Sequence, residues 1–314
     1  MPADLAALVS PHRVVTVVGL AKNAGKTTVI NHLLERLEGP VGLASLGLDG
    51  EARDQLTGLA KPRVRPPAGS LVATADGLAG ELRVAARLPY RTAVGQVVLV
   101  EPEPGRPAIV SGPARLDELD GTVQALFAAG MRRVLLEGAL ARLGTAARER
   151  ADAVVVAAGA AAARGPDDIE RALRLAVEAL ALPVEGGTPG LCVKHAAGFE
   201  AEVAGRIEAG RATHVEVAGA VTGPLLELLM RRGIRLRLVA ADATHVLAQP
   251  QQVARARRAG VELMVRRPLP IVALTASPFH PDVELPADQA FAAAVAAAAG
   301  RWPVFDVVSG RMSA

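Results

Sequence analysis

Short apolar runs rich in β-branched residues alternate along this chain with stretches in which apolar positions recur every three or four residues, the pattern of strands alternating with helices. Val14-Val15-Thr16-Val17-Val18 has the composition of a strand buried on both faces. The polar segment from Lys22 to Thr28 interrupts the pattern, and Val29, Ile30, Leu33, Leu34 and Leu37 then fall at helical spacing. Val41 to Leu46 reads as a second strand, and Ser70 to Asp76 as a short strand leading toward a capped helix. Val97 to Glu101 and Ala108 to Val110 flank the turn Pro102-Glu103-Pro104-Gly105-Arg106-Pro107, which predicts a hairpin added at the sheet edge. A helix from about Leu116 to Ala129 carries Leu119, Val123, Leu126 and Phe127 at helical spacing, and Gly130 closes it. Strands at Val134 to Gly138 and Ala153 to Ala157 follow, then a helix from Asp167 to Leu180 that Pro166 starts.

Pro183 to Gly190 is the best linker candidate. Beyond it the rhythm restarts. Strands are expected at Val215 to Val217, Leu236 to Val239, Ile271 to Thr275 and Val304 to Val308, and helices at Pro224 to Arg232, Pro250 to Ala259 and about Pro286 to Ala299. These strands make either a second parallel sheet or an extension of the first. The expected fold class is α/β: a mostly parallel sheet with a hairpin addition over residues 1–185, followed by a second α/β part over residues 190–314.

Composition narrows the function classes. With 51% apolar residues in 314, the chain buries a substantial core and is not disordered. Aromatic residues are only 2%, so the core is aliphatic and stacking platforms for single-stranded nucleic acid are lacking. The formal charge of +3 rests on arginines that follow an Ala/Arg/Gly/Pro bias without forming a basic block, so no nucleic-acid partner is expected. Against that bias the lysines stand out: Lys22 and Lys26 lie in the polar segment, with Lys61 and Lys194 elsewhere. Cys192 is the sole cysteine, which excludes an internal disulfide and a cysteine-based metal cluster and fits a reducing compartment. The N-terminal residues show no long apolar core or cleavage signal, and the Ala-rich runs near Ala153 and Ala292 fall short of a membrane span. A cytoplasmic protein without a membrane partner is expected.

The chemistry concentrates at Gly19-Leu20-Ala21-Lys22-Asn23-Ala24-Gly25-Lys26-Thr27-Thr28. A strand, a glycine-containing loop and a helix in that order cradle phosphate, because loop N–H groups and the positive end of the helix face the anion together. Gly25 permits close backbone approach, Lys26 is a point charge for the β- and γ-phosphates, the Thr27 hydroxyl is a magnesium ligand, and Thr28 supports the loop. The strict pattern G-x-x-x-x-G-K-[ST] places its first glycine at position 20, where Leu20 stands; Gly19 is one residue early. The segment is thus read as the P-loop of a nucleotide-binding domain spanning residues 1–185, with an ordinary Gly-rich turn as the alternative, and its pattern leaves the base open. Asp49 and Glu51 follow the second strand, where functional loops of parallel sheets lie, although a solvated turn accounts for them as well. Glu137, an acid ending an apolar strand, is the candidate for organising magnesium opposite the loop, directly or through water. Lys61 and Arg63 sit in a rigid basic segment, and Ala158 to Gly165 form a small-residue loop suited to a nucleotide base or to a close-packed crossover. His195, His214, His245 and His280 lack metal-ligand spacing and read as structural or solvated.

At residues 19–28 the sequence resembles the ATPase-like subunit of the lysine 5,6-aminomutase reactivase, and the similarity extends to Ser45 to Glu51, Lys61 to Val64, Gly69 to Ala75, Glu137 to Arg142, Leu274 to Phe279 and Val304 to Val307. The resemblance implies a P-loop NTPase-like fold, binding of ATP and magnesium, and partnership with an adenosylcobalamin-dependent aminomutase and a second ATPase-like subunit. Nucleotide turnover would then open the aminomutase for exchange of damaged cobalamin. From the residues themselves, Lys26, Asp49 and Glu137 are the candidates for turnover, and Thr27, Asp49 and Glu137 those for the metal. The chain departs from the family at Glu137, where an aspartate is expected, and at Ala160 to Ala163, where hydroxyl-bearing residues are expected. A small-molecule kinase or an ATP-dependent ligase, similar to dethiobiotin synthetase, fits the same outline.

Overall fold

Every residue of the Val14–Gly19 run is buried, as a strand covered on both faces requires. The computed structural model describes residues 4–21, 23–49, 63–104, 106–139, 144–160, 168–278, 288–307 and 311–313. In chain order it comprises α1 (Leu5–Val9), β1 (Val14–Gly19), α2 (Lys26–Arg36), β2 (Val41–Ser45), β3 (Leu48–Asp49), β4 (Leu71–Ala75), α3 (Asp76–Ala79), β5 (Arg83–Thr92) and β6 (Gly95–Glu101). Next come β7 (Val110–Ser111), α4 (Leu116–Ala128), β8 (Arg133–Ala139), β9 (Ala153–Gly159), α5 (Ile169–Leu180), β10 (Leu191–His195), α6 (Glu200–Gly210), β11 (His214–Gly219) and β12 (Val221–Thr222). The remainder is α7 (Gly223–Arg231), β13 (Leu236–Ala240), β14 (Val246–Leu247), α8 (Pro250–Arg258), β15 (Val261–Val265), β16 (Ile271–Ser277), α9 (Asp288–Ala299), β17 (Val304–Asp306) and β18 (Arg311–Ser313). The chain is thus α/β. It divides into one unit of Met1–Leu173 with Pro270–Ala314 and another of Arg174–Leu269.

The first unit holds a ten-stranded sheet in the order β18-β17-β16-β9-β1-β8-β2-β4-β6-β5. It is mostly parallel; β6 runs against β4 and β5, and β18 against β17. From β1 the chain builds outward on one side, fills the gap with β8, then crosses β1 to lay down β9, β16 and β17 on the other. The reversal falls between β1 and β9, and the carboxyl ends of strands at such a point are the usual place for a ligand in these sheets. One face is covered by α1 and α2, through Leu5, Val9, Val29, Ile30 and Leu33 packed with Val15, Val17, Leu43, Leu135 and Val155. The other carries α4, whose Leu119, Val123 and Leu126 pack with Ala44, Val134 and Leu136. Each such buried side chain contributes about 1.5–3 kcal/mol, so an aliphatic core suffices.

The second unit is a parallel sheet in the order β10-β11-β13-β15 with a β12-β14 pair. Because the strands follow in sequence, right-handed crossovers put α6, α7 and α8 on one face, where α6 packs on α7 and α7 on α8. Thr222 caps α7 by accepting from the Leu225 N–H at 3.3 Å, and a Gln249–Gln252 capping box starts α8.

Two expectations change. The hairpin is β5–β6, closed through Thr92 and Gly95, whereas the residues expected to return along β6 go elsewhere: Ala108 bridges Val64, and β7 pairs with β3. Pro102, Pro104 and Pro107 lack the N–H donors that a continuing ladder needs, and the half-polar alternation of β5 concealed the true partner. The division expected at residues 185–190 also differs from the one found, because β16 pairs with β9 and carries β17 with it into the first sheet. The second unit is therefore an insertion between β9 and β16. Among the described residues, no helix is long and apolar enough to cross a membrane.

Candidate functional site

The loop between β1 and α2 leaves the sheet at the topological reversal. The Leu20 N–H donates to the Ala157 carbonyl at 3.0 Å, which continues the pairing with β9 one step past the strand. Asn23 and Gly25 then have φ of 58° and 89°. Asparagine is among the few residues that tolerate the left-handed region, and glycine enters it freely. Gly25 is the N-cap of α2 and supplies no side-chain hydrogen bond; helical bonding starts with the Val29 N–H donating to the Gly25 carbonyl at 3.0 Å. The N–H groups of the first turn therefore point from the positive end of an eleven-residue helix without a side-chain cap. Such an end suits an anion.

Lys26 opens the helix and lies back across the strand. A Cβ built on Gly19 would sit 3.0 Å from Lys26 Cγ and 3.2 Å from Cδ. Gly19 therefore gives the lysine stem its path along β1, while Leu20, only 4% exposed, turns into the core. The early glycine has its own physical reason. Lys26 Nζ reaches Glu137 Oε1 at 3.6 Å. Glu137 on β8 stands in register with Val17 on β1 and Ser45 on β2, and it lies two residues beyond Leu135, on the face that α2 covers. It is 4% exposed, so it is a buried acid beside a lysine rather than a solvated strand end.

Two strand ends from the far side of the reversal complete the cradle. Gly159, closing β9, lies where a Cβ would come within 2.4 Å of Ala24 Cα. Ser277, closing β16, lies where a Cβ on Gly25 would come within 2.9 Å of its own Cβ. The segment after residue 62 is fastened along α2 by the Asn31 amide, which donates to the Arg63 carbonyl and accepts from the Arg65 N–H, each at 2.9 Å.

The structure thus brings Gly19, Asn23, Ala24, Gly25, Lys26 and Glu137 together, with Thr27 and Thr28 half-buried in the first turn of α2. Asp49 ends β3, where its backbone pairs with Val110. Lys22, Glu51, Lys61 and Ala161 to Ala163 lie outside the described residues. Asn31 escaped the sequence reading, Ser277 entered it only within the Leu274 to Phe279 similarity, and Gly159 only within the small-residue loop expected from Ala158. The rule that ligands meet the carboxyl ends of parallel strands is the signal that could have singled out Gly159 and Ser277. The histidines of the second unit face carboxylates: His195 Nε2 lies 3.7 Å from Glu200, His214 Nε2 3.8 Å from Glu185, and His245 Nδ1 3.1 Å from Asp242. Among the described residues, no three His, Cys, Asp or Glu side chains converge as a group able to hold a metal ion. Compared with protein-family models, with curated proteins and with solved structures, the chain finds no match.

Proposed function

We propose that the β1–α2 loop is a P-loop that binds ATP with magnesium, and that the protein is the nucleotide-binding subunit of a reactivase for an adenosylcobalamin-dependent lysine 5,6-aminomutase, as its sequence resemblance implies. The observation that carries the nucleotide reading is Lys26, laid over Gly19 with its ammonium 3.6 Å from the buried Glu137 on the adjacent strand. The residues fit a triphosphate: a left-handed Gly25, an N-terminus without a side-chain cap, and strand ends that leave no room for a Cβ at the loop. In this reading the N–H groups from Gly25 to Thr28 hold phosphate oxygens, and the Thr27 hydroxyl and Glu137 hold magnesium, Glu137 through water. Asp49 orients the attacking water or completes the metal site. The bound nucleotide supplies the phosphoanhydride whose cleavage powers reactivation. Lys26 exchanges Glu137 for the β- and γ-phosphates on binding, and that exchange releases the acid for its second role.

The test is the steady-state ATP hydrolysis rate of the purified protein, alone and with a cobalamin-inactivated aminomutase and the second ATPase-like subunit. Stimulation by the inactivated enzyme, abolished in Lys26→Ala, is the expected result. A rate indifferent to the aminomutase removes the reactivase reading and turns the search to a metabolite consumed with ATP by a kinase or by a ligase similar to dethiobiotin synthetase.

A further inference from the structure

Glycine reaches many backbone conformations at low cost, so a glycine held in one of them is held by its surroundings. Gly25 is such a residue, at φ of 89° at the head of α2. The arm of the loop that enters is tied by the Leu20 N–H to Ala157 and by Ala24 against Gly159; the arm that leaves is tied by the Val29 N–H to the Gly25 carbonyl. Between them, apart from the chain next to Gly25 itself and among the described residues, the Ser277 side chain supplies the heavy atoms within 4 Å of the Gly25 Cβ position, its Cβ at 2.9 Å and its Oγ at 3.1 Å. β16, which Ser277 ends, is the strand by which the chain re-enters the first unit after the inserted one.

We infer that Ser277 is a positioning residue of the loop: its side chain closes on Gly25, keeps it left-handed and so aims the N–H groups at the start of α2. The packing is independent of what the loop binds; its effect on affinity rests on the nucleotide reading proposed above. Without the contact, Gly25 regains conformations that binding must again remove, and affinity falls by the lost pre-organisation.

Hydrogen–deuterium exchange of the loop peptide and titration of the full chain with magnesium and a fluorescent methylanthraniloyl ATP analogue test this together. Ser277→Gly is expected to speed exchange within the loop and to weaken the analogue about three- to tenfold, a part of the roughly five- to thirtyfold that re-ordering one whole backbone residue costs, with the melting temperature of the chain unchanged. Ser277→Cys, which restores a side chain of similar reach, returns both readouts to within about twofold of wild type. Ser277→Val keeps a strand-forming residue but adds bulk where Gly25 leaves no room, and it weakens the analogue at least about tenfold. In the Gly25→Ala background, Ser277→Gly recovers part of the lost affinity, because it removes the steric conflict and leaves the backbone one. Wild-type exchange and affinity in Ser277→Gly overturn the inference. So does wild-type affinity in Ser277→Val, should the glycine variant not fold. If Lys26→Ala binds the analogue as the wild type does, the nucleotide reading fails instead, and loop exchange alone decides the role of Ser277.

Discussion

Lys26 and Glu137 meet where water screens neither well, their side chains 15% and 3% exposed. Removing one member of a buried pair costs about 3–5 kcal/mol when burial is complete; the partial exposure of Lys26 and the further interactions that Glu137 keeps place Lys26→Ala at the low end, about 3 kcal/mol or less. Chemical denaturation of this variant measures that loss, and its affinity for the ATP analogue is expected to fall at least about a hundredfold, as a charge-assisted phosphate contact and its ordering are lost together. Glu137→Gln keeps the shape and removes the charge. It is expected to bind the analogue within about tenfold of wild type and to hydrolyse ATP about a hundredfold more slowly, and full hydrolysis withdraws the role given to the acid. Gly159→Ala tests the wall of the cradle. Its Cβ would lie 2.4 Å from Ala24 Cα, a backbone atom that cannot swing aside, so the variant is expected to lose about 1–3 kcal/mol in denaturant unfolding. At this scale Lys26, Gly25 and Glu137 were legible because strand, loop and helix are contiguous in sequence and a terminal acid breaks an apolar pattern. The contacts of Ser277 with Gly25 and of Gly159 with Ala24 were not, since a small residue announces its neighbour only once the chain is folded.

Elements gain their ends from capping chemistry, and one cap has a pH signature. Asp242 starts the turn Ala243–His245, accepting from the Thr244 N–H at 2.8 Å. Burial disfavours its charge, but hydrogen bonds from the His245 and Thr244 side chains and from the Thr244 N–H outweigh it and hold the carboxyl below the usual aspartate range. A depressed folded value stabilises the native state fully above the unfolded value of about 3.9 and loses that stabilisation as pH falls through the folded one. Stability is therefore expected to drop below about pH 4 with a contribution that Asp242→Asn removes, while Asp242→Ala costs about 1–3 kcal/mol at neutral pH. Denaturant midpoints across the acid range check both. Helix periodicity placed α4, α7 and α8 to within a residue or two, because a buried stripe imposes its spacing on the sequence. The β5–β6 pairing was obscured by Arg83, Arg87 and Arg91, which face solvent on an edge strand, where half the positions carry no apolar demand.

For the whole molecule the decisive feature is the return of the chain to its first sheet. A fragment of residues 1–185 lacks β16, α9, β17 and β18, which leaves β9 as an unpaired edge and takes from its buried residues Val154, Val155 and Val156 the strand they pair with. It is expected to be aggregated or molten by near-ultraviolet circular dichroism and amide NMR dispersion, whereas the full chain is not; a well-folded 1–185 fragment contradicts the discontinuous unit. The sequence by itself determined the α/β class, the aliphatic character of the core and the strand–loop–helix that presents Lys26, since each follows from local periodicity or from which side chains exist to be buried. Only the tertiary structure decided that β16 lies beside β9, that Glu137 meets Lys26 and that Ser277 meets Gly25. Strand order and contacts between distant residues depend on which apolar edges pair after collapse, and similar β-branched strands carry no mark of their neighbours.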